Sequence, residues 1–215
     1  LIRENDIANG PGVRTSLFVS GCRHHCKGCF NPETWNFNYG HPFTQAEIDQ
    51  IIQATEPSFI EGLTLLGGEP FEPENQPALV ELLKQFKEKL PHKKVWCYTG
   101  STFEEDLFLK YKNGAENVSE LLPLIDVLVD GKFVEELKSL MLKFKGSSNQ
   151  RTILVKETLE KNGYAERVDR DWLYVEPCRP EAHNLRKGTK GDCGCDFPSS
   201  KAICRECQPS PAHRR

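Results

Sequence analysis

Short apolar runs alternate with amphipathic stretches along most of this chain. Apolar runs of about four to eight residues predict strands, whereas apolar residues three or four positions apart predict helices. Strands are predicted at 13–20, 62–66, 94–98, 125–129, 152–155 and 172–175. Helices are predicted between them, beginning after Thr44, near Pro77 and after Thr102, with a further helical stretch near 134–142.

Two of the predicted helix starts carry a capping-box pattern, in which a threonine is followed three residues later by a glutamate. Thr44 precedes Glu47 in this way, and Thr102 precedes Glu105. Strands that alternate with helices indicate right-handed βαβ units, which predict an α/β fold with a mostly parallel sheet. We expect this sheet to curl into a partial (β/α) barrel.

The composition changes after Pro177. Gly, Pro, Ser, Cys and charged residues replace the periodic apolar positions there, and such a sequence cannot bury a core of its own. We therefore predict a folded domain over residues 1–176. Residues 177–215 are predicted to be a small Cys-rich extension that needs metal or docking to become ordered.

Composition narrows the range of partners and compartments. The chain has 215 residues, a hydrophobic share of 38% and a net charge of −3, which gives no reason to expect a nucleic acid or an anionic membrane as partner. The sequence shows neither a signal peptide nor an apolar run of membrane-spanning length. We expect a cytoplasmic protein, in which nine cysteines favour metal binding over disulfides.

Three cysteines form a compact motif directly after the first predicted strand. Cys22, Cys26 and Cys29 are spaced as Cys-x3-Cys-x2-Cys, and three neighbouring thiolates suit either an iron–sulfur cluster or a zinc ion. A [4Fe–4S] cluster held by three cysteines leaves one iron open to another ligand. A zinc ion would need a fourth protein ligand, for which His24 and His25 are the local candidates in a cramped position.

A second motif follows the next predicted strand. Residues 67–70 read Gly-Gly-Glu-Pro, in which the glycines let the backbone approach a ligand and Glu69 offers an acceptor to an ammonium group. A Gly-Gly turn before a helix is the alternative. Together, the cysteine motif and this segment resemble the radical S-adenosylmethionine (SAM) superfamily.

Further segments resemble one branch of that superfamily, the activating enzymes of glycyl radical enzymes. Residues 10–14, Gly-Pro-Gly-Val-Arg, are similar to their GPGxR segment. Within this branch, the chain is most similar to the activating proteins of anaerobic ribonucleoside-triphosphate reductases. The segments that carry this similarity are 8–14, 22–31 with Thr34 and Trp35, 95–100, 130–133 and 146–151.

The resemblance implies a cofactor, a substrate and a partner. Cys22, Cys26 and Cys29 are similar to the residues that hold a [4Fe–4S] cluster, whose open iron binds SAM. An electron from a flavodoxin-like donor then cleaves SAM to methionine and a 5′-deoxyadenosyl radical. That radical removes a hydrogen atom from a glycine of the catalytic subunit of the anaerobic ribonucleotide reductase. The alternatives are an activase of another glycyl radical enzyme, another small radical SAM enzyme, or a non-catalytic iron–sulfur or zinc module.

The resemblance also assigns the SAM contacts, which follow the predicted strands. Gly67, Gly68 and Glu69 are expected to hold the methionine end of SAM. Thr99 and Gly100 follow the third predicted strand and are expected to contact the middle of SAM. Since ligands bind at the carboxyl ends of strands in open α/β sheets, these positions suit a ligand.

Other positions have two interpretations. Asp130 and Lys132 resemble an Asp-x-Lys pair that lies near the SAM carboxylate and ribose in related activases, but a turn residue and a surface lysine are the alternatives. The 147–151 segment is either a SAM-contacting loop or a polar turn. Trp35 and Phe37 either shield the cluster or belong to the ordinary core.

The extension contains a second group of cysteines that departs from the family pattern. Its members are Cys193, Cys195, Cys204 and Cys207. A Cys-x-Cys pair followed by a Cys-x2-Cys pair suits a tetrathiolate site for zinc or for a second iron–sulfur cluster. Cys178 could replace one of these ligands. An extension without metal is the third alternative, and its basic residues make docking to the reductase a hypothesis.

Replacing the four grouped cysteines of the extension by serine tests this second site. We expect the quadruple variant, purified anaerobically, to lose zinc or iron from the extension and to keep the iron and sulfide of the first cysteine motif. Elemental analysis beside the wild-type chain measures both. Identical zinc, iron and sulfide contents in the two proteins would contradict a metal site in the extension.

Overall fold

A computed structural model of the chain describes residues 1–163, with the exception of the side chain of Glu116. A six-stranded sheet lies at the centre, and its strands follow one another in chain order across the sheet. They are β1 (Ile2–Asp6), β2 (Val13–Val19), β3 (Ile60–Gly67), β4 (Lys94–Tyr98), β5 (Val127–Asp130) and β6 (Arg151–Leu154). Strands β2 to β5 run parallel, whereas β1 and β6 pair antiparallel at the two edges.

The α/β class and the mostly parallel sheet are thus confirmed, while the curl of the sheet into a partial barrel stays a prediction. The domain boundary at 176, the predicted strand at 172–175 and the cysteines of the extension lie outside the described residues. Within residues 1–163, every helix falls short of the length and hydrophobicity that a membrane span requires.

Helices connect the parallel strands and cover one face of the sheet. They are α1 (Gln45–Thr55), α2 (Gln76–Lys89), α3 (Leu109–Lys112), α4 (Glu116–Leu121) and α5 (Val155–Glu160). A π-helix lies at Phe103–Phe108, and 3₁₀ turns lie at Pro32–Trp35, Leu122–Leu124 and Glu135–Leu137. The apolar sides of α1 and α2, including Ile51, Leu83 and Phe86, share one core with Leu63 and Leu65 of β3. The right-handed course of these crossovers stays a prediction.

The opposite face of the sheet is organised around the side chain of Arg14, which is only 1% exposed. Its guanidinium donates hydrogen bonds to the main-chain oxygens of Leu63 and Lys94, each at 2.9 Å, and to Thr64 Oγ1 at 2.7 Å. The guanidinium also lies 5.8 Å from the ring centre of Trp96. Burial lowers the pKa of Arg14 to about 10, and the hydrogen bonds compensate the loss of water. Arg14 therefore joins β2, β3 and β4.

Most predicted elements are present in the fold. Strands β2 to β6 correspond to five of the six predicted strands. The capping box of α1 is confirmed, since Thr44 Oγ1 accepts from Ala46 N and Glu47 accepts from Thr44 N. The sequence does not predict β1, because its residues Ile-Arg-Glu-Asn-Asp are mostly polar, and it forms by pairing with β2 at the edge of the sheet.

The predicted capping box at Thr102 is wrong. The main-chain N–H and the hydroxyl of Thr102 donate to Asp106, at 2.7 and 2.9 Å, instead of pairing with Glu105. The segment Phe103–Phe108 is a π-helix, whose wider turn moves the residue that faces Thr102 one position along the chain. Periodicity alone does not signal such a turn.

The predicted helix at 134–142 is wrong as well. The helical part of this segment is the short turn Glu135–Leu137, after which Lys138 is extended and bridges to Ser147. Leu140 and Met141 are 91% and 89% exposed. A short helix is stable when it buries an apolar face, and these two side chains are not covered, so the segment forms a loop.

Replacing Arg14 by methionine tests its role in joining the strands. We expect the free energy of unfolding of Arg14→Met to fall by roughly 3 kcal/mol, because buried main-chain oxygens would lose their donors. Urea unfolding measures the change. The matched control is Arg3→Met, since Arg3 is exposed over the ring of Phe18. Equal effects of the two substitutions would contradict the strand-joining role.

Candidate functional site

A cavity of about 520 Å³ opens where strands β2, β3 and β4 end. Residues at or directly after these strand ends line it: Cys22, Gly67, Gly68, Glu69, Thr99 and Gly100. Parallel strands bring their carboxyl ends to one edge of the sheet, where α/β folds bind ligands. The cavity volume is typical of small-molecule sites. The structure therefore brings the cysteine motif and the main predicted SAM contacts together.

All three cysteines of the first motif line this cavity. Cys22 is buried, Cys26 and Cys29 are partly exposed, and all three are free thiols. Burial raises the pKa of the Cys22 thiol. Within residues 1–163, no group of three or more His, Cys, Asp or Glu side chains is arranged so that it could hold a metal ion. The thiols thus share the cavity without surrounding a single ion position.

The cysteine loop is fixed against the Gly-Gly-Glu-Pro loop through the main chain. Gly68 N donates to Val19 O at 2.8 Å, and the next residue, Glu69, donates its N–H to Gly21 O at 2.8 Å. Gly21 N in turn donates to Thr34 O at 2.8 Å. A Cβ atom on Gly68 would lie 2.5 Å from the Gly21 oxygen, so the close approach of the two loops requires glycine at this position.

The carboxylate of Glu69 connects these two loops to the end of β4. It is 3% exposed and has four partners within the chain. They are Phe71 N, Thr99 Oγ1 and Gly100 N, each at 2.8 Å, and His24 Nε2 at 2.9 Å. A carboxylate offers about four acceptor positions, and a buried one needs donors to replace water. Glu69 therefore holds the cysteine loop, its own loop and the end of β4 together. Its contact with the ammonium group of SAM stays a prediction.

Both histidines of the cysteine motif have partners other than a metal. His24 Nε2 lies 2.9 Å from Glu69 Oε2, and a Cβ atom on Gly100 would lie 2.5 Å from the His24 ring. His25 stacks on Trp35 with ring centres 4.7 Å apart. These contacts argue against zinc bound by three cysteines and one histidine. The contact between His24 and Glu69 leaves no signal in the sequence, because no spacing pattern joins residues 45 positions apart.

Trp35 lines the cavity. Phe37, in contrast, lies on the surface, where the guanidinium carbon of Arg23 is 4.3 Å from the centre of its ring. The Nε1 atom of Trp35 is buried and has no hydrogen-bond partner among the residues that the structure describes. An indole N–H can only donate, and burying it without an acceptor costs about 1–3 kcal/mol. Separately, Cys22, Cys26 and Cys29 bring three free thiols to the cavity, and three thiolates are a ligand set that suits an iron–sulfur cluster, so the cavity fits a bound cluster.

Asp130 and Lys132 line a neighbouring cavity of about 770 Å³. Asp130 is 1% exposed and accepts from Phe103 N and Arg151 Nε, each at 2.9 Å. The hydrogen bonds of Arg151 with Asp130 and Glu104 raise the pKa of Arg151. Lys132 is exposed. Asp130 thus has a structural role in the chain, and the contact of either residue with SAM stays a prediction.

The 147–151 segment forms part of the rim of the first cavity. Gln150 lines it, and Gln150 Nε2 donates to Gly131 O at 3.0 Å. Ser147 is fully buried, and its Oγ accepts from Val134 N at 3.1 Å. Ser147 therefore stabilises the turn, while Gln150 is the residue that is placed near a ligand.

Aromatic side chains that the sequence does not mark as site residues form a further wall of the cavity. Its members include Phe30, Tyr98, Phe133 and Phe144. Phe30, Tyr98 and Phe133 lie in segments that carry the family resemblance, which is the signal that could have found them. Cys97, in contrast, lies in the core on the helical side of the sheet, where burial raises the pKa of its thiol well above the usual range.

The chain is similar to known proteins over the residues that form this site. Residues 8–153 match a family model described as a 4Fe-4S single cluster domain. The anaerobic ribonucleoside-triphosphate reductase-activating protein of Escherichia coli (strain K12) is 45% identical over 147 residues, which are 67% of this chain and 90% of that protein. The protein of the same name from enterobacteria phage T4 is 39% identical over 146 residues, 68% of this chain and 86% of its own length. No solved structure is found to match the chain.

The similarity spans nearly the whole length of these relatives, and the matched residues 8–153 include the cysteine motif, the Gly-Gly-Glu-Pro loop and the end of β4. Identity at this level over most of a relative shows common descent. This chain belongs to the family of anaerobic ribonucleoside-triphosphate reductase-activating proteins.

Proposed function

We propose that this chain activates an anaerobic ribonucleotide reductase by reductively cleaving SAM at a [4Fe–4S] cluster and forming a glycyl radical on the reductase. The observation that carries the proposal is the single cavity shared by three thiols and the Gly-Gly-Glu-Pro loop. The match to a 4Fe-4S domain and the names of the relatives support it.

Cys22, Cys26 and Cys29 are the proposed ligands of the cluster. A thiol binds iron as a thiolate, so loading releases protons. Burial raises the pKa of the Cys22 thiol, because the charged thiolate is less stable away from water. Asn31 N donates to Cys29 Sγ at 3.4 Å, so the main chain of the loop contacts this thiol directly.

SAM is proposed to lie between the cysteine loop and the end of β4. Gly67 and Gly68 would offer their main chain to the methionine end, and Glu69 would hold that loop while facing the ammonium group. Thr99 and Gly100 would contact the middle of SAM, since both line the cavity and both donate to the Glu69 carboxylate.

Asp130 and Lys132 are proposed as further contacts of SAM from the neighbouring cavity. Gly131, which lies between them in the chain, lines both cavities. A ligand that extends along the sheet edge past Gly131 would therefore reach this pair.

When bound, the cluster supplies the electron that splits SAM into methionine and a 5′-deoxyadenosyl radical. The chain contributes an aromatic wall of Phe30, Phe133 and Phe144, which would exclude water from a reactive intermediate. The proposed substrate is a glycine of the catalytic subunit of the reductase, and the proposed electron donor is a flavodoxin-like protein. A partial barrel, a cytoplasmic location and a metal site in the extension belong to the same proposal.

The direct test of the proposal is transfer of a radical to the reductase. We expect the anaerobically reconstituted chain, incubated with an anaerobic ribonucleotide reductase, SAM and dithionite, to produce a glycyl radical signal in electron paramagnetic resonance (EPR) spectra. Omission of SAM is the control. A signal on a different glycyl radical enzyme, and none on the reductase, would show that the partner is another member of that class.

The second test concerns the proposed ligands. We expect the triple alanine variant of Cys22, Cys26 and Cys29 to lose the cluster and to produce no 5′-deoxyadenosine from SAM, because each ligand thiolate is removed. Iron and sulfide analysis and chromatography of the products measure both effects. Cys97→Ala is the matched control, since Cys97 lies in the core, and it should keep cluster and product. A triple variant that still binds the cluster would exclude these ligands.

A further inference from the structure

We propose that residues 138–147, the rim loop, form a docking surface for the catalytic subunit of the anaerobic ribonucleotide reductase, with Leu140 and Met141 as its apolar contacts. The matching surface of the reductase would be an apolar patch beside carboxylates. The inference rests on the proposed function, because it requires a glycine of that subunit to reach the cavity of the cysteine motif.

The base of the rim loop is held in place by pairing and packing. Lys138 and Ser147 form an antiparallel bridge between the two ends of the loop. Ser147 is fully buried, and its Oγ accepts from Val134 N at 3.1 Å. Phe144 meets the ring of Trp96 edge-on, with ring centres 5.8 Å apart. The tip of the loop therefore projects from a structured base.

The tip of the rim loop exposes two neighbouring apolar side chains. Leu140 and Met141 are 91% and 89% exposed, more than any other large apolar side chain that the structure describes. A single exposed apolar residue is common on protein surfaces. Two adjacent ones on a structured loop indicate an interaction surface. Methionine suits this role, because its flexible side chain adapts to the surface of a partner.

The rim loop forms part of the border of the cavity, which identifies its partner. Leu142 and Phe144, which follow the tip directly in the chain, line the cavity together with the three thiols. Phe30 of the cysteine loop also lines the cavity and is 58% exposed. A protein that inserts a glycine into this cavity would bring its own surface against the rim loop. The continuity of the loop with the cavity therefore favours the reductase as the protein that covers the tip.

The charges beside the rim loop indicate the chemistry of that partner. Lys138 is exposed, and Lys145 lines the cavity. The acidic residues that precede the loop, Glu135 and Glu136, are paired with Lys27 of the cysteine loop at 3.1 and 3.3 Å. This border of the cavity thus carries an excess of positive charge. Carboxylates on the partner would complement it and orient the two proteins.

The double variant Leu140→Ser/Met141→Ser tests the apolar contacts. We expect the full-length variant, reconstituted anaerobically, to bind the reductase roughly tenfold more weakly than the wild type, because two buried apolar contacts would be lost. Anaerobic calorimetric titration measures the affinity. Cleavage of SAM by dithionite without the reductase should equal that of the wild type, since neither side chain is among those that line the cavity.

Phe59→Ser is the matched control. Phe59 is 62% exposed and directly precedes β3, at the end of this strand that is opposite to the cavity. Its variant should bind the reductase as the wild type does. Equal affinities of the double variant and the wild type would overturn the inference. With such an unchanged affinity, loss of a dimer in sedimentation would assign the tip to a second copy of this chain, and a lower free energy of unfolding would assign it to the extension.

A second arm of the experiment tests the charge of the partner. We expect Lys138→Glu to bind the reductase roughly threefold more weakly, mainly through slower association, whereas Lys156→Glu, at an exposed lysine of α5, should not. Equal association rates of the two variants would overturn the carboxylates proposed for the partner. A wild-type chain that binds the reductase without cleaving SAM would instead overturn the proposed function, and the affinities would still decide the docking surface.

Discussion

The geometry of the site depends on the hydrogen bonds that the buried carboxylate of Glu69 accepts from three segments of the chain. It is almost fully buried and is contacted from the cysteine loop, from its own loop and from the end of β4. A buried carboxylate without partners is strongly unfavourable, so these three segments must stay together for the site to be stable. The same requirement fixes the cysteine loop relative to the Gly-Gly-Glu-Pro loop and the end of β4.

The sheet supplies the frame for this arrangement by using its two faces differently. One face packs against helices through a single apolar core. The other carries Arg14, which donates to oxygen atoms of β3 and β4 in place of water and so joins β2, β3 and β4. These are the strands whose ends surround the cavity. A rigid frame beneath a site is what allows its side chains to keep a productive geometry.

Local patterns explain much of what the sequence predicts correctly. Apolar runs locate β2 to β6, and the Thr44–Glu47 pair locates the start of α1, because both signals come from neighbouring residues. The polar strand β1, the π-helix after Thr102 and the loop near Leu140 are not predicted. In each of these cases pairing, turn geometry or the availability of a core decides the outcome, and none of these is encoded at short range.

The sequence by itself determined the family resemblance, the α/β class and the residues of both motifs, because each is expressed in residue type and spacing. The tertiary structure decided how these residues are used. It joined Glu69 to His24 across 45 positions, gave Asp130 a structural partner in Arg151, and left the Trp35 N–H without an acceptor in the described chain. Such contacts depend on which distant strands end side by side at one edge of the sheet, and the spacing of residues along the chain does not encode this.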